Sequence, residues 1–121
     1  MEAIELVKAA VCSLDTHKAQ DIRVLDISAV SSLAEYFVIA SATSHNGVRA
    51  LVDYVEMELG KQGVQPVRTE GYQTLLWTLL DYGTVVVHVF LDTTREFYDL
   101  ERLWQDARAI DPATFLEDEK P

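Results

Sequence analysis

The sequence is poor in the residues that would take it out of the ordinary class of compact domains: one cysteine, three prolines, five glycines and three histidines among 121 residues. A single thiol, Cys12, closes no internal disulfide, and together with the scattered His17, His45 and His88 it makes no zinc cluster. A reducing cytosol is the compartment this composition fits. Basic residues are also scarce, ten against twenty acidic ones, for a formal charge of -10. That field repels nucleic acid phosphates and favours basic partners, so direct binding of RNA or DNA is disfavoured. Long apolar runs are missing too. Met1 is followed by Glu2 and an amphipathic pattern, not by a basic segment and an apolar core, so neither a signal peptide nor a membrane span is expected.

What is present is a chain that is 49% apolar, enough to bury roughly two-thirds of its surface as one domain. Ile4, Val7, Val11 and Leu14 recur at spacings of three and four, which predicts a first helix. Runs rich in branched residues, Ile22 to Ile27 and Tyr36 to Ala40, predict two strands on either side of the polar Ser28 to Ser32 region. Thr43 and Ser44 can cap a second helix whose apolar face is Val48, Leu51, Val52, Val55 and Leu59, with Gly63 suited to its end. Gln65 to Thr69 contains Pro66 and reads as at most a short edge strand.

The stretch from Leu75 to Phe90, LLWTLLDYGTVVVHVF, predicts a hairpin turning at Tyr82-Gly83. In that register Asp81 pairs with Thr84, Leu79 with Val86, Trp77 with His88 and Leu75 with Phe90, all on one face; Leu76, Thr78, Leu80, Val85, Val87 and Val89 take the other. Thr93 and Glu96 offer a capping box for a last helix with Phe97, Leu100 and Trp104 on one side. The domain is expected to span 1–104. The remainder, 105–121, holds Pro112 and the acidic Glu117-Asp118-Glu119 run and is expected to be a loosely ordered acidic tail. The fold class is α+β, a mixed sheet with helices packed on it, in the order α-β-β-α-β-β-β-α.

The mixed hairpin face carries the residues that invite a functional reading. His88 has no serine or cysteine in a nucleophile elbow near it, and Asp81 lies too far around the hairpin to orient it, so no triad is expected. His88 reads as a structural residue hydrogen-bonded beneath Trp77, and Asp81 as a turn residue that accepts backbone amides. Trp77 combines a large apolar area with a polar edge, the profile of an anchor for another protein. No glycine-rich phosphate loop precedes a helix, and Ser41-Ala42-Thr43-Ser44 offers only the free amides that any capped helix start has. No cofactor is expected and no metal site.

Several ordered motifs stand between Asp21 and Trp104: Asp21-Ile22 with Leu25-Asp26-Ile27, Ser31-Ser32 before Tyr36-Phe37-Val38-Ile39, and Glu70-Gly71 followed by Trp77. Asp81-Tyr82-Gly83, Val85-Val86-Val87-His88-Val89-Phe90, and Arg95 with Phe97-Tyr98-Asp99-Leu100-Glu101 and Leu103-Trp104 complete the set. Together they resemble the ribosomal silencing factor, or Iojap-like, family. The resemblance implies a nucleotidyltransferase-like topology without that class's paired acidic metal ligands, hence no enzyme activity. It implies binding to the large ribosomal subunit through its fourteenth protein, a block on association with the small subunit, and repression of translation when nutrients are scarce. It places the partner-contacting surface on Trp77, Asp81, Tyr82 and Tyr98, with Glu70 nearby. A homodimer is compatible with it. The readings that compete with it are a metal-dependent nucleotidyltransferase-like enzyme using Asp81 and His88, and a homodimeric interaction module. The chain departs from the family pattern at Ala42, Glu35 and Thr84. Ala42 stands where glycine is usual, which argues against a tight ligand-holding turn before the second helix.

Overall fold

A computed structural model describes residues 1–116. The elements run α1 (Ala3–Thr16), β1 (Gln20–Asp26), β2 (Tyr36–Ala42), α2 (His45–Lys61), β3 (Arg68–Glu70), β4 (Trp77–Asp81), β5 (Val85–Leu91), α3 (Asp92–Tyr98), α4 (Leu100–Leu103) and β6 (Arg108–Ile110), followed by a short 3-10 helix at Pro112–Phe115. The strands form one sheet in the order β3-β4-β5-β2-β1-β6. Only β2 and β5 pair in parallel, Tyr36 beside Val85 through Ala42 beside Leu91. The crossover between them runs through α2 and the β3-β4 ribbon, and this long connection is what a parallel pair requires.

Helices α1 and α2 cover one face of the sheet. Val48, Leu51, Val52, Val55 and Leu59 of α2 are all buried, and the Ser44 hydroxyl caps the helix by accepting from the Gly47 N–H at 3.0 Å. In α1 the buried stripe is Leu6, Val7, Ala10, Val11 and Leu14, while Ile4 is exposed. These side chains meet Val24, Val38, Ala40, Leu80, Val85, Val87 and Val89 from the sheet. A second cluster fills the opposite face, where Leu25, Ile27, Phe37, Ile39, Val86 and Phe90 pack with Leu100, Trp104 and Trp77. Among the described residues no helix is long and apolar enough to cross a membrane.

The structure corrects four expectations. First, the hairpin turns at Gly83-Thr84, one step later than expected: Asp81 pairs with Val86, Leu79 with His88 and Trp77 with Phe90. Gly83 takes the positive φ of 88° at the first central position, as a type II′ turn needs. This slip moves one strand by two residues along the other, and because side chains alternate, both faces keep their membership. Second, β4 starts at Trp77. Leu75 lies outside it with φ 59° and is buried in the helix-side core, not on the Trp77 face.

Third, β5 passes straight into α3 with Leu91 at the cap position, so the Thr93-Glu96 capping box does not form; Asp92 Oδ1 accepts the Thr93 N–H at 2.8 Å instead. Asp99, with φ 48°, interrupts the helical phase, so Leu100 and Trp104 pack inward while Phe97 is 81% exposed. Fourth, residues 108–116, expected in a loosely ordered tail, are built into the fold. Arg108, Ala109 and Ile110 pair with Asp26, Leu25 and Val24, and Phe115 is buried against the helix-side core. The acidic run Glu117-Asp118-Glu119 lies outside the described residues.

Candidate partner-docking surface

Alternation along β4 places Trp77, Leu79 and Asp81 on the sheet face away from α1 and α2, each partly open to solvent. Opposite them stand Phe90, His88 and Val86 of β5, all buried. Four rings run outward from this floor. The Phe90 ring stacks on Trp77 with centroids 4.8 Å apart, Tyr98 tilts against Trp77 at 5.2 Å, and Phe97 meets Tyr98 edge-on at 5.1 Å. Exposure rises along the row, from Phe90 fully buried through the half-buried Trp77 to Tyr98 at 52%. The inner rings give the outer ones a rigid seat, and the outer ones offer apolar area with a phenol at its edge.

His88 is the support. It is 3% exposed, its Nδ1 accepts the Trp77 indole N–H at 3.1 Å, and the Phe37 ring lies edge-on to it at 4.5 Å. Burial pushes the imidazole down from its ordinary value to about 3. The ring is therefore neutral near pH 7, with its proton on Nε2 because Nδ1 is the acceptor, and Nε2 has no partner. A sealed neutral ring in that state holds Trp77 from below.

Asp81 accepts the Gly83 N–H at 2.8 Å through one oxygen and the Arg68 guanidinium at 3.3 Å through the other. Arg68 also reaches Glu70, with Nε 3.4 Å from Oε2. Glu70 is exposed, and the two carboxylates share one cation at the β3 edge of the sheet. Asp81 and His88 do not join each other: the carboxylate oxygens go to Gly83 and Arg68, and the imidazole goes to Trp77. Among the described residues no group of three or more His, Cys, Asp and Glu is placed to hold a metal ion.

Over residues 1–121 the chain matches the family model described as ribosomal silencing factor during starvation. The chain belongs to the ribosomal silencing factor family. It is 40% identical over 104 residues to the ribosomal silencing factor of Chromobacterium violaceum, covering 86% of this chain and 85% of that one. It is 36% identical over 111 residues to the ribosomal silencing factor of Bacillus subtilis, covering 92% of this chain and 94% of that one. A crystal structure of a Chromobacterium violaceum protein superimposes with a TM-score of 0.84 at 40% identity, over 87% of this chain and 88% of the other. The α+β architecture is thus that of a ribosomal silencing factor, and the chain's role lies with the ribosome and the regulation of translation.

Within this silencing factor the expected surface residues separate. Trp77 and Tyr98 touch, and Asp81 and Glu70 share Arg68 on the same edge. Tyr82 stands apart: it is 8% exposed and packs in the helix-side core, where its hydroxyl has no hydrogen-bond partner. The reason is parity. Tyr82 still pairs with Val85 across the turn, with its N–H on the Val85 carbonyl at 2.9 Å, and so points away from Asp81. Burial raises its phenol above the ordinary value. Residues the sequence reading passed over are Arg68, Phe97, and Gly71, on which a Cβ would come within 2.0 Å of the Trp77 carbonyl oxygen. The Glu70-Gly71 pair followed by Trp77 was the visible signal for Gly71, since close backbone approach is a reason for glycine.

Proposed function

We propose that this silencing factor represses translation by seating the Trp77–Tyr98 face on the large ribosomal subunit, through its fourteenth protein, where the small subunit would otherwise join. The reading rests on one observation: a half-open indole and an exposed phenol in contact, with Asp81 further along the same face of β4 and Glu70 across from Leu79. Aromatic anchors with a large area and a polar edge dominate the energetics of protein interfaces. A formal charge of -10 steers the chain toward a basic protein surface and away from bare ribosomal RNA. Exclusion by occupancy requires no chemistry, so the site acts through affinity and footprint alone, in the compartment where the subunits join, the cytoplasm.

The test uses purified chain and washed ribosomal subunits. Wild type co-sediments with large subunits and blocks their joining to small subunits in a dose-dependent way. Tyr98→Ala removes an exposed ring without opening the core and is expected to weaken co-sedimentation by about 2 kcal/mol, or roughly thirtyfold. Normal binding and normal blocking by a folded Tyr98→Ala and Trp77→Ala pair of variants would refute the assignment.

A further inference from the structure

The helix that presents Tyr98 is attached in an unusual way. Of the seven residues of α3, the buried one is Arg95, at 6% exposure, while Phe97 and Tyr98 face out. A seven-residue helix does not hold itself together in water, and α3 lacks the apolar stripe that fastens α2. What fastens it is a guanidinium. Its Nη1 donates to the Ser41 hydroxyl of β2 at 3.1 Å, and its Nη2 lies 3.3 Å from Glu101 of α4 and 3.6 Å from Asp21 of β1. Ser41 is buried as well, and its hydroxyl donates a hydrogen bond to the Gln20 carbonyl at 3.3 Å.

Two irregular backbone features converge on the same group. The β1–β2 pairing shifts register between Gln20 and Arg23, and within that irregularity Asp21 adopts φ 49°. Irregularities of this kind re-aim a side chain, and here the carboxylate lies between two cations, one oxygen 3.0 Å from Arg23 and the other 3.6 Å from Arg95. Asp99, with φ 48°, ends α3 and starts α4, which brings Glu101 back over Arg95. Left-handed backbone at non-glycine residues is costly, and it occurs on both sides of one guanidinium.

An apolar residue would fix α3 to the sheet as firmly, because a buried ion pair is no better for stability than a well-packed hydrophobe. A forked cation held from three elements does something else: it sets the direction of the helix as well as its distance. We infer that Arg95 is a positioning residue, which holds α3 at the one angle that sets the Tyr98 ring against Trp77 for the ribosomal partner. This inference rests on the docking role proposed above for those two rings.

Arg95→Met keeps the volume and removes the fork; Arg95→Lys keeps the charge but replaces the planar fork with a point-like ammonium that cannot hold the same three directions. In large-subunit binding by purified chain, Arg95→Met is expected to lose about tenfold in affinity, mainly in dissociation rate, and Arg95→Lys to lose nearly as much. On a Tyr98→Ala background the same substitutions are expected to cost less than about twofold, because Arg95 acts through that ring. Amide exchange across 93–99 should accelerate while β5 amides stay protected. Additive losses in the double variants, or unchanged exchange across 93–99, would overturn the inference. Should Arg95→Met fail to fold, Asp21→Asn and Ser41→Ala each weaken one of the three contacts to Arg95 and carry the same comparison, with Arg23→Ala as the control for the Asp21–Arg23 pair. If Tyr98→Ala and Trp77→Ala both bind normally, the docking role fails, while the exchange measurement still decides whether Arg95 holds α3.

Discussion

The indole N–H of Trp77 and Nδ1 of His88 form a 3.1 Å hydrogen bond between neighbouring strands, one pairing step off the register in which Trp77 faces Phe90. The bond ties a half-open ring to a sealed one, so the rotamer of the proposed anchor is fixed from inside the protein before any partner arrives. Preorganisation of this kind lowers the entropic cost of association.

The burial of His88 sets a pH dependence. His88 is depressed from 6.5 to about 3 in the folded chain, so below about pH 6.5 the unfolded chain binds a proton that the folded chain refuses. Its stabilising contribution is complete above the unfolded value and is lost progressively as pH falls toward the folded one. Between pH 7 and pH 5, above most carboxylate titration, the loss from this group is expected to reach about 2 kcal/mol. Urea midpoints at the two pH values, compared between wild type and His88→Leu, should show a clearly smaller change for the variant.

Tyr82 separates the structural from the docking role of the turn. Its hydroxyl is buried without a partner, so Tyr82→Phe removes an unsatisfied group and fills the same space. Stability should stay level or rise by up to about 1 kcal/mol, with co-sedimentation unchanged. A binding loss at level stability would return Tyr82 to the contact surface.

Gly71 is predicted to be intolerant. Its φ is 80°, and a Cβ there would lie 2.0 Å from the Trp77 carbonyl oxygen, a backbone atom that cannot swing aside. Gly71→Ala should therefore cost about 2 kcal/mol or more and disturb the start of β4. Chemical denaturation reads the first effect, and the Trp77 indole N–H resonance reads the second.

Arg68 shares its charge between Asp81 and Glu70, the two carboxylates that a basic partner would meet. Arg68→Ala frees both. At low ionic strength the association rate with large subunits should rise about twofold to threefold, and the gain should fade toward high salt. Stopped-flow association across a salt series checks it; slower association would mean that Arg68 itself contacts the partner.

The hairpin faces were legible because alternation is insensitive to the even slip that separates the expected register from the observed one. All five apolar positions expected in α2 are buried, since a period of 3.6 over seventeen residues leaves little room for another reading. Three features were hidden for physical reasons. Strand β6 is three residues whose partner lies at the other end of the sequence, so no local pattern marks it. Asp99 breaks a helix through its backbone angle, which composition does not record, and that break turned Phe97 outward. Arg95 reads as a solvated helix residue unless Ser41, Asp21 and Glu101 are known to converge on it.

The parallel pairing of β2 with β5 carries a consequence for how the molecule comes into being. Tyr36 waits for Val85, so the centre of the sheet zips only after α2 and the ribbon behind it have emerged and folded back. Closing so large a loop is slow, and Trp77 and Tyr98 gain their seats only when it is done. A half-synthesised chain would therefore carry no finished copy of the proposed docking face, and any binding through it would begin only with completed molecules.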